Sequence, residues 1–189
     1  MNIGFIGTGL MGAPMIKNLL KSKHQISIFN RTISKARKLK KYGAYLSYKI
    51  DELVKDKEII ITMLTDDKAV NNIIRSKTFL KNVCKETTVI DMSSTKPSTA
   101  LDNYKTLKKK GVYFLDAPVS GGTKGAESAS LAIMVGGEKK IYKKNLKVLK
   151  MLGIPNYVGK TIIWSGSKTC KSNYCRNYYW RSIRSNNIV

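Results

Sequence analysis

Near its start the chain reads Ile3-Gly4-Phe5-Ile6-Gly7-Thr8-Gly9-Leu10-Met11-Gly12-Ala13-Pro14-Met15. The first apolar residues have the composition of a short buried strand, and the residues after Gly12 begin an apolar helix. Three glycines with the spacing Gly-x-Gly-x-x-Gly separate the two elements. This spacing alone is a weak signal, but between a strand and a helix it indicates a site for a dinucleotide.

Each of the three glycines has a physical role in such a site. Gly7 permits a tight turn off the strand, Gly9 lets the backbone approach a pyrophosphate, and Gly12 lets helix and strand pack closely. The phosphates are then expected at the helix N-terminus, where unpaired N–H groups and the helix dipole favour negative charge. An ordinary glycine-rich turn is the weaker alternative, because the strand and the helix are both present.

The composition is that of a globular protein with a strongly basic surface. The 189 residues are 42% apolar and carry a formal net charge of +23. Such a charge is compatible with nucleic-acid binding, but scattered lysines supply most of it, and arginine is the residue suited to bidentate phosphate and base contacts. We therefore expect solvated lysine-rich faces that attract anionic cofactors and acids, and no specific nucleic-acid partner.

No feature of the sequence indicates export, a membrane or a metal. No apolar run is long enough to span a bilayer, and the chain begins with a strand rather than with a signal peptide. Its three cysteines, Cys84, Cys170 and Cys175, are too few and too irregularly spaced for a disulfide framework or a zinc site. The expected location is the cytoplasm.

Strand and helix patterns alternate along residues 1–160, which we predict to form one domain. After the glycine stretch, strands are predicted at 25–29, 44–48, 58–64, 87–92, 112–115 and 131–137, with helices between most of them. The run at 58–64 is continuously apolar, which is typical of a parallel strand buried on both faces. The alternation predicts an α/β fold with a Rossmann-type, doubly wound, mostly parallel sheet.

The end of the second predicted strand bears on the choice of cofactor. An Asp or Glu at this point would bind the ribose hydroxyls of NAD, but the chain has Asn30-Arg31-Thr32. No carboxylate repels a 2′-phosphate there, and a guanidinium with a hydroxyl can bind one. These residues favour NADP, with NAD as the alternative. A compatible interpretation is that Thr32 or Ser34 caps the next helix while Arg31 is solvated.

The alternation is interrupted by a second glycine-rich stretch, Asp116-Ala117-Pro118-Val119-Ser120-Gly121-Gly122-Thr123-Lys124-Gly125-Ala126. It combines the Ser120 hydroxyl with Gly121 and Gly122, so that backbone N–H groups can point at an anion such as a carboxylate. From its spacing alone, the stretch is equally compatible with an ordinary glycine-rich loop.

Several stretches occur together in the order found in one enzyme family. They are residues 4–15, 29–32, 61–64, 90–94, 116–122 and 133–137. Together they resemble the β-hydroxyacid dehydrogenases, which include 3-hydroxyisobutyrate dehydrogenase, tartronate semialdehyde reductase and glyoxylate/succinic semialdehyde reductase. The stretch 29–32 is also similar to 6-phosphogluconate dehydrogenase, but 116–118 and 134–137 favour the branch that acts on small acids.

The resemblance implies NAD(P)-linked oxidation of a small 3-hydroxy acid, or reduction of the matching aldehyde acid. By position it places the substrate carboxylate at Ser120, Gly121 and Gly122. It places the nicotinamide near Met63, Leu64 and Ser94. The full set of implied cofactor residues is Gly7, Gly9, Leu10, Met11, Gly12, Asn30, Arg31, Thr32, Met63, Leu64 and Ser94.

In the resembled family, the proton donor to the carbonyl oxygen is a lysine that follows a Gly-x-Gly pair on a long helix. If Gly166 is the second glycine of this pair, the catalytic position falls on Cys170, and Lys171 comes one residue later. A shift of one residue turns a helical side chain by about 100°. This shift would turn the side chain of Lys171 away from the pocket, but Lys171 is the lysine nearest to the expected position and is the candidate catalytic residue.

Residues 161–189 differ in composition from the rest of the chain. They hold both tryptophans, contain no Asp or Glu and lack the apolar periodicity of a helix. We interpret them as an atypical basic tail, the remnant of the start of a helical domain. A basic recruitment arm or a reading-frame error would give the same composition.

The all-helical C-terminal domain of the resembled family is then largely missing. In the family this domain closes the active site and makes the dimer, so a homo-oligomer is not predicted for this chain. Two functions stay open. The chain is either an NADP-preferring 3-hydroxyacid dehydrogenase, or a truncated nucleotide-binding protein of the same fold with little or no turnover.

Overall fold

The computed structural model describes residues 1–160, in which strands and helices alternate. The strands are β1 (Asn2–Ile6), β2 (Gln25–Phe29), β3 (Tyr45–Leu46), β4 (Ile59–Thr62), β5 (Thr88–Asp91), β6 (Tyr113–Asp116), β7 (Val119–Ser120), β8 (Leu131–Gly137) and β9 (Gly153–Gly159). The α-helices are α1 (Gly12–Leu20), α2 (Ile33–Arg37), α3 (Ile50–Val54), α4 (Asp67–Ile74), α5 (Lys77–Asn82), α6 (Pro97–Lys108), α7 (Gly122–Glu127) and α8 (Lys139–Lys150).

The described strands form one sheet of nine strands. Their order is β3-β2-β1-β4-β5-β6-β8-β7, and β9 pairs with the other edge of β8. The strands from β3 to β6 are all parallel, whereas β8 runs antiparallel to β6 and β7. This topology confirms the predicted Rossmann-type, doubly wound, mostly parallel sheet. Because β1 lies between β2 and β4, the strand order reverses at β1, where sheets of this type bind ligands beyond the carboxyl ends of the strands.

Helices cover both faces of the sheet and create two hydrophobic cores. In β4, Ile59 and Ile61 belong to one core and Ile60 belongs to the other. All three side chains are buried, because successive residues of a strand point to opposite faces and each face is covered here. The apolar run at 58–64 is therefore continuous because β4 is buried on both faces, as the sequence predicts.

Some predicted elements need correction. The single helix expected between the strands predicted at 25–29 and 44–48 is divided into α2 and a 3₁₀ turn, Lys40–Tyr42, which ends at Gly43 with a left-handed φ of +97°. The sequence prediction also missed α5, a short helix whose start is fixed by the Ser76 hydroxyl oxygen, 3.1 Å from the Phe79 N–H donor. It missed β9 as well, because Pro155 argues against a strand, although an edge strand tolerates a proline.

The second glycine-rich stretch is not an ordinary loop. Its residues form β7, which pairs with β8, and then α7. Asn18 of α1 holds α7 in place, since its buried side-chain amide donates to the carbonyl oxygens of Ala126 at 2.8 Å and Glu127 at 3.3 Å. The helix that follows the first glycine stretch is therefore bonded directly to the end of the second.

Candidate functional site

Gly7 turns the chain off the carboxyl end of β1. Its φ is +105°, a left-handed value that side chains rarely adopt, and its N–H donates to the Phe29 carbonyl oxygen at 2.9 Å. A Cβ atom at this position would lie 2.2 Å from the carbonyl oxygen of Met63. The loop therefore passes between the ends of β2 and β4 at a point where only glycine fits.

Gly12 brings α1 against this turn. A Cβ atom here would lie 2.0 Å from the Gly7 carbonyl oxygen and 3.2 Å from the ring of Phe5. The helix begins at Gly12 with Met11 at its N-cap, and no side chain caps its first turn. The N-terminal end of α1 thus faces the loop without a protein group of its own to neutralise the helix dipole.

Gly9 differs from the other two glycines because nothing lies within 4 Å of the place that its Cβ would occupy. Gly9 is exposed, and the next side chain, Leu10, is 84% exposed. The Thr8 hydroxyl oxygen is buried and has no hydrogen-bond partner within the described residues. The exposed backbone of Gly9 and the unpartnered Thr8 hydroxyl both lie beside the N-terminus of α1. This arrangement fits a phosphate group that approaches the main chain closely.

Asn30 connects the glycine loop to the turn between β2 and α2. Its side-chain oxygen accepts from the Thr8 N–H at 3.0 Å, and its side-chain nitrogen donates to the Thr32 carbonyl oxygen at 3.0 Å. Arg31 and Thr32 are exposed beside it. Thr32 is the N-cap residue of α2 but makes no side-chain capping hydrogen bond, so its hydroxyl is not used in the way that the capping interpretation predicts.

The residues predicted for the nicotinamide side lie on the loops after β4 and β5. Met63 is half-buried there and its N–H donates to the Ile6 carbonyl oxygen at 2.9 Å, while Ser94 is exposed. The Leu64 N–H donates to the Ser93 hydroxyl oxygen at 2.9 Å, which ties the two loops together.

Beneath these loops lies a buried carboxyl group that the sequence prediction missed. One oxygen of Asp91 accepts from the Thr62 hydroxyl at 2.8 Å and from the Ser93 N–H at 3.1 Å. Burial raises the pKa of Asp91 above its ordinary value, and the hydrogen bonds from Ser93 and Thr62 oppose this only in part. The signal in the sequence that could have revealed this buried carboxyl group is a single acidic residue at the end of a predicted apolar strand.

The predicted carboxylate-binding residues lie at the junction of β7 and α7. Ser120 and Gly121 are half-buried and Gly122 is exposed. Both glycines have positive φ values, +132° and +59°, so the backbone takes a path here that other residues rarely follow. The hydrogen bonds of Asn18 link α1 to the opposite end of α7, at Ala126 and Glu127. No described hydrogen bond joins the residues 120–122 to the loops after β4 and β5.

A basic cleft of about 430 Å³ opens beside the glycine loop, between α1 and α2. Residues of the loop, of both helices and of the 3₁₀ turn line it, namely Thr8, Gly9, Leu10, Ala13, Lys17, Lys35, Lys38, Leu39, Lys41 and Tyr42. The sequence prediction treated these lysines as solvated surface. A larger cavity, of about 540 Å³, lies by the amino ends of β5 and β6, and none of the predicted site residues lines it.

The geometry described above is shared with a known protein family. A family model described as the NAD binding domain of 6-phosphogluconate dehydrogenase matches residues 2–166. The chain belongs to this family. The matched range contains both glycine-rich stretches and the turn at Asn30.

Individual relatives of this NAD-binding domain are dehydrogenases and reductases of small acids. The mitochondrial 3-hydroxyisobutyrate dehydrogenase of Drosophila melanogaster is 39% identical over 152 residues, which cover 80% of this chain and 47% of that protein. Glyoxylate/succinic semialdehyde reductase 1 of Arabidopsis thaliana is 34% identical over 154 residues, which cover 81% of this chain and 53% of that protein. These relatives confirm the resemblance to the β-hydroxyacid dehydrogenases.

A solved structure agrees with this assignment. Mycobacterium tuberculosis 3-hydroxyisobutyrate dehydrogenase with L-serine is 30% identical, with a TM-score of 0.84, and the match covers 89% of this chain and 58% of that chain. The NAD-binding domain described here spans about half the length of the curated relatives it matches. Lys171 lies outside the described residues, and its role stays a prediction.

Proposed function

We propose that the chain is an NADP-preferring oxidoreductase of the 3-hydroxyacid dehydrogenase type. It transfers hydride between the nicotinamide and a small 3-hydroxy acid or its aldehyde acid. The observation that carries the proposal is the glycine loop at β1, where Gly7 and Gly12 are fixed by packing while Gly9 leaves its backbone open. The bound dinucleotide supplies the hydride chemistry, and the residues of the chain bind and orient it.

The preference for NADP rests on the turn after β2. The chain has no carboxylate at 30–32 that would repel a phosphate on the adenosine ribose, and Arg31 and Thr32 are exposed there. Asn30 holds the turn against the glycine loop through its two hydrogen bonds. A guanidinium group and a hydroxyl group therefore stand beside the proposed pyrophosphate site, where they can bind the 2′-phosphate.

Arg31→Asp tests this preference. We expect the Kd for NADP⁺ to rise by at least about tenfold, because a charge-assisted hydrogen bond is lost and a like charge replaces it. The Kd for NAD⁺ should change by less than about threefold on the same grounds, since NAD⁺ has no 2′-phosphate. Calorimetric titration measures both constants.

Arg37→Asp is the matched control, because it makes the same charge change at an exposed position, the last residue of the helix α2 that follows the Arg31 turn. Its effect on either Kd should be small. Equal losses of NAD⁺ and NADP⁺ affinity in Arg31→Asp, or equal effects in the two variants, would contradict a role for Arg31 at the 2′-phosphate.

The substrate is proposed to bind through its carboxylate at Ser120, Gly121 and Gly122. The positive φ values of the two glycines allow the backbone N–H groups at the start of α7 to turn toward an anion. The relatives named above act on small acids or aldehyde acids by their names, which supports the same class of substrate for this chain. Lys171 is proposed as the general acid that protonates the carbonyl oxygen.

Activity is tested with NADPH and either succinic semialdehyde or glyoxylate. We expect substrate-dependent oxidation of NADPH, followed by its absorbance. Lys171→Gln should lower kcat by about 100-fold or more, because general acid catalysis contributes a factor of this size. Lys168→Gln removes the same charge three residues earlier and serves as the control.

The second candidate function is a dinucleotide-binding protein with little or no turnover. It requires only the glycine loop and the Asn30 turn, both of which lie within the described residues. NADPH binding without measurable oxidation under the assay above would contradict the first proposal and support this one. Turnover that is unchanged in Lys171→Gln would show that another group donates the proton.

Other partners and the location remain predictions. No helix of the described range 1–160 is long and apolar enough to cross a membrane. A cytoplasmic location and the absence of a specific nucleic-acid partner are proposals, and the oligomeric state is left to experiment. Cell fractionation, DNA titration at physiological salt and size-exclusion chromatography test them.

A further inference from the structure

The exposed side of the helix α8 carries only positive charge. Six of its twelve residues are exposed lysines, which we call the lysine face, namely Lys139, Lys140, Lys143, Lys144, Lys147 and Lys150. The range 139–160 contains no Asp or Glu. The salt bridges among the described residues join Met1 to Glu58 and Arg75 to Asp102, so no ion pair in this part of the chain neutralises the lysine face.

The lysine face forms one straight stripe. At about 100° per residue its six side chains fall within an arc of about 140°, and they span about 16 Å along the helix axis. The other side of α8 packs on the sheet, where Ile141, Val148 and Leu149 are buried in one of the two hydrophobic cores. The helix therefore offers a partner its ammonium groups and keeps its apolar side chains inside.

This arrangement works against the stability of the helix itself. Lysines four residues apart repel each other on a helix, as at Lys139 and Lys143 and again at Lys143 and Lys147. Lys139 and Lys140 also stand in the first turn, where the helix dipole favours negative charge. A surface that serves solubility alone intersperses charges of both signs. A polyanion bound along the stripe would remove the repulsion.

The basic composition of the chain does not by itself account for the lysine face. Lysine and arginine together make up 35 of the 189 residues, but lysine alone makes up half of α8. The other described helices of eight or more residues, α1, α4 and α6, contain one or two lysines each, and α4 and α6 also contain an aspartate. Positive charge is therefore concentrated on α8.

We propose that the lysine face of α8 binds the phosphate backbone of a nucleic-acid duplex without sequence preference. A duplex carries one negative charge per about 1.7 Å of its axis, and it releases condensed counterions when ammonium groups neutralise its phosphates. The helix contains no arginine for bidentate contacts to bases. The proposal therefore concerns backbone contacts alone and agrees with the expected absence of a sequence-specific partner.

Two properties of α8 favour a duplex over a single strand or a membrane. Proteins that bind single strands stack the bases on free aromatic rings, but Tyr142 of α8 is half-buried, with its ring centroid 5.2 Å from that of Tyr157. The Tyr142 hydroxyl also donates to the Pro155 carbonyl oxygen at 3.2 Å. A helix that lies in a membrane surface buries its apolar side in the lipid, whereas that side of α8 is packed against the sheet.

The lysine face starts away from the proposed cofactor site. Glu138, the residue before α8, lines the cavity by the amino ends of β5 and β6, whereas the glycine loop follows the carboxyl end of β1. Because β1, β5 and β6 run parallel, α8 begins at the opposite edge of the sheet from the glycine loop. The inference therefore does not rest on the proposed dinucleotide binding.

Replacing four lysines of the face in the full chain tests the proposal. The face variant is Lys140→Gln/Lys143→Gln/Lys144→Gln/Lys147→Gln, in which glutamine keeps the helix propensity close to that of lysine. Fluorescence anisotropy measures the Kd for a labelled duplex DNA of arbitrary sequence and for labelled poly(U) at several salt concentrations. Co-sedimentation measures binding to vesicles of phosphatidylserine and phosphatidylcholine.

The matched control removes the same charge from the opposite face of the sheet. It is Lys77→Gln/Lys81→Gln/Lys105→Gln/Lys109→Gln, at exposed positions on and next to α5 and α6, which pack on the other core. Circular dichroism should show that both variants are folded. The face variant should melt at the same temperature as the unmodified chain or higher, because charges that repel each other have been removed.

The face variant should bind the duplex about tenfold or more weakly at about 0.1 M salt, because up to four phosphate contacts are lost. Each lost contact lowers the slope of log Kd against log salt concentration by about 0.9, so the slope should fall by about 3. The control should change the Kd by less than about threefold, since charges far from the contact are screened. If the face variant fails to fold, Lys143→Gln/Lys147→Gln should give about half of the change in slope by the same reasoning.

Several outcomes would overturn the inference. Equal losses in the face variant and the control would mean that net charge, rather than α8, accounts for binding. Binding of the unmodified chain to the duplex weaker than about 10⁻⁴ M at physiological salt would fall below ordinary non-specific binding. Binding to poly(U) or to the vesicles as tight as binding to the duplex would assign the face to a different partner. The Kd for NADP⁺ should be the same in all three proteins, and an absence of NADP⁺ binding in all of them would contradict the proposed function alone.

Discussion

Gly9→Ala is expected to weaken NADP⁺ binding about 100-fold or more while the unfolding temperature stays unchanged or rises slightly. Nothing lies within 4 Å of the Cβ position, and the φ of Gly9 is not among the positive values of the chain, so alanine fits the free protein. A bound pyrophosphate would meet the new methyl group. The loss corresponds to about 2.7 kcal/mol, the size of one or two charge-assisted hydrogen bonds to the backbone.

Gly12→Ala provides the contrast. Its Cβ would lie 2.0 Å from the Gly7 carbonyl oxygen, so either the loop or α1 must move. We expect a loss of about 1–3 kcal/mol in the free energy of unfolding, which is typical of an overpacked site, together with the loss of binding. Thermal unfolding and calorimetric titration on the same preparations distinguish the two variants.

The affinity of Gly9→Ala for NADP⁺ can contradict the proposed dinucleotide site. If Gly9→Ala binds NADP⁺ as tightly as the unmodified chain, the open space at Gly9 is not where a ligand approaches the backbone. If both variants lose stability equally, the space at Gly9 is filled in solution by part of the chain itself.

Asp91→Ala is expected to lower the free energy of unfolding by about 3 kcal/mol. The substitution leaves the Thr62 hydroxyl and the Ser93 N–H without their acceptor in a buried place, and unsatisfied groups of this kind cost about 1–3 kcal/mol each. It also releases Ser93, whose hydroxyl oxygen holds the Leu64 N–H. Urea unfolding measures the loss, and the Kd for NADP⁺ reports whether the loops after β4 and β5 have moved.

Asp91→Asn should retain both hydrogen bonds and show a characteristic dependence on pH. An aspartate in the unfolded chain has a pKa of about 3.9, and burial raises the pKa of Asp91 in the folded chain. Between these two pKa values the folded state binds more protons, so its stability falls as the pH rises through this window. The asparagine does not titrate, and the stability of Asp91→Asn relative to the unmodified chain should therefore increase over the same window and then level off.

Asp102→Asn is the control for this pH series, because Asp102 is exposed and its ion pair with Arg75 is long, at 3.9 Å. An exposed pair of this kind contributes about 0–1 kcal/mol. A difference between Asp91→Asn and the unmodified chain that stays constant from pH 4 to neutral pH would mean that Asp91 does not change its protonation there.

The sequence predicted those parts of the molecule whose signals are local. The apolar run of β4, the strand β8 and the Gly7 turn each depend on the order of neighbouring residues, and the structure confirms them. The elements α5 and β9 escaped prediction because α5 is a short helix marked only by its serine cap, and because Pro155 argues against a strand.

The site was predicted less completely, because its geometry depends on distant residues. The Asp91 network joins the ends of two strands, β4 and β5, that are about thirty residues apart in sequence, so no spacing rule reveals it. The lysines that line the cleft lie on exposed helix and turn surfaces that look alike in sequence, and only the placement of these elements beside the glycine loop brings them together. The roles of the residues at 120–122 and of Lys171 stay predictions that the experiments above test.

The side chain of Asn18 couples the two glycine-rich stretches of the chain. The helix α1 carries the first glycine stretch at one end and Asn18 toward the other, and Asn18 is bonded to Ala126 and Glu127 of α7. Local opening of α7 cannot occur without breaking buried hydrogen bonds to α1. We therefore expect the two glycine-rich stretches to open together, so that an anion that orders either of them also slows amide hydrogen exchange in the other.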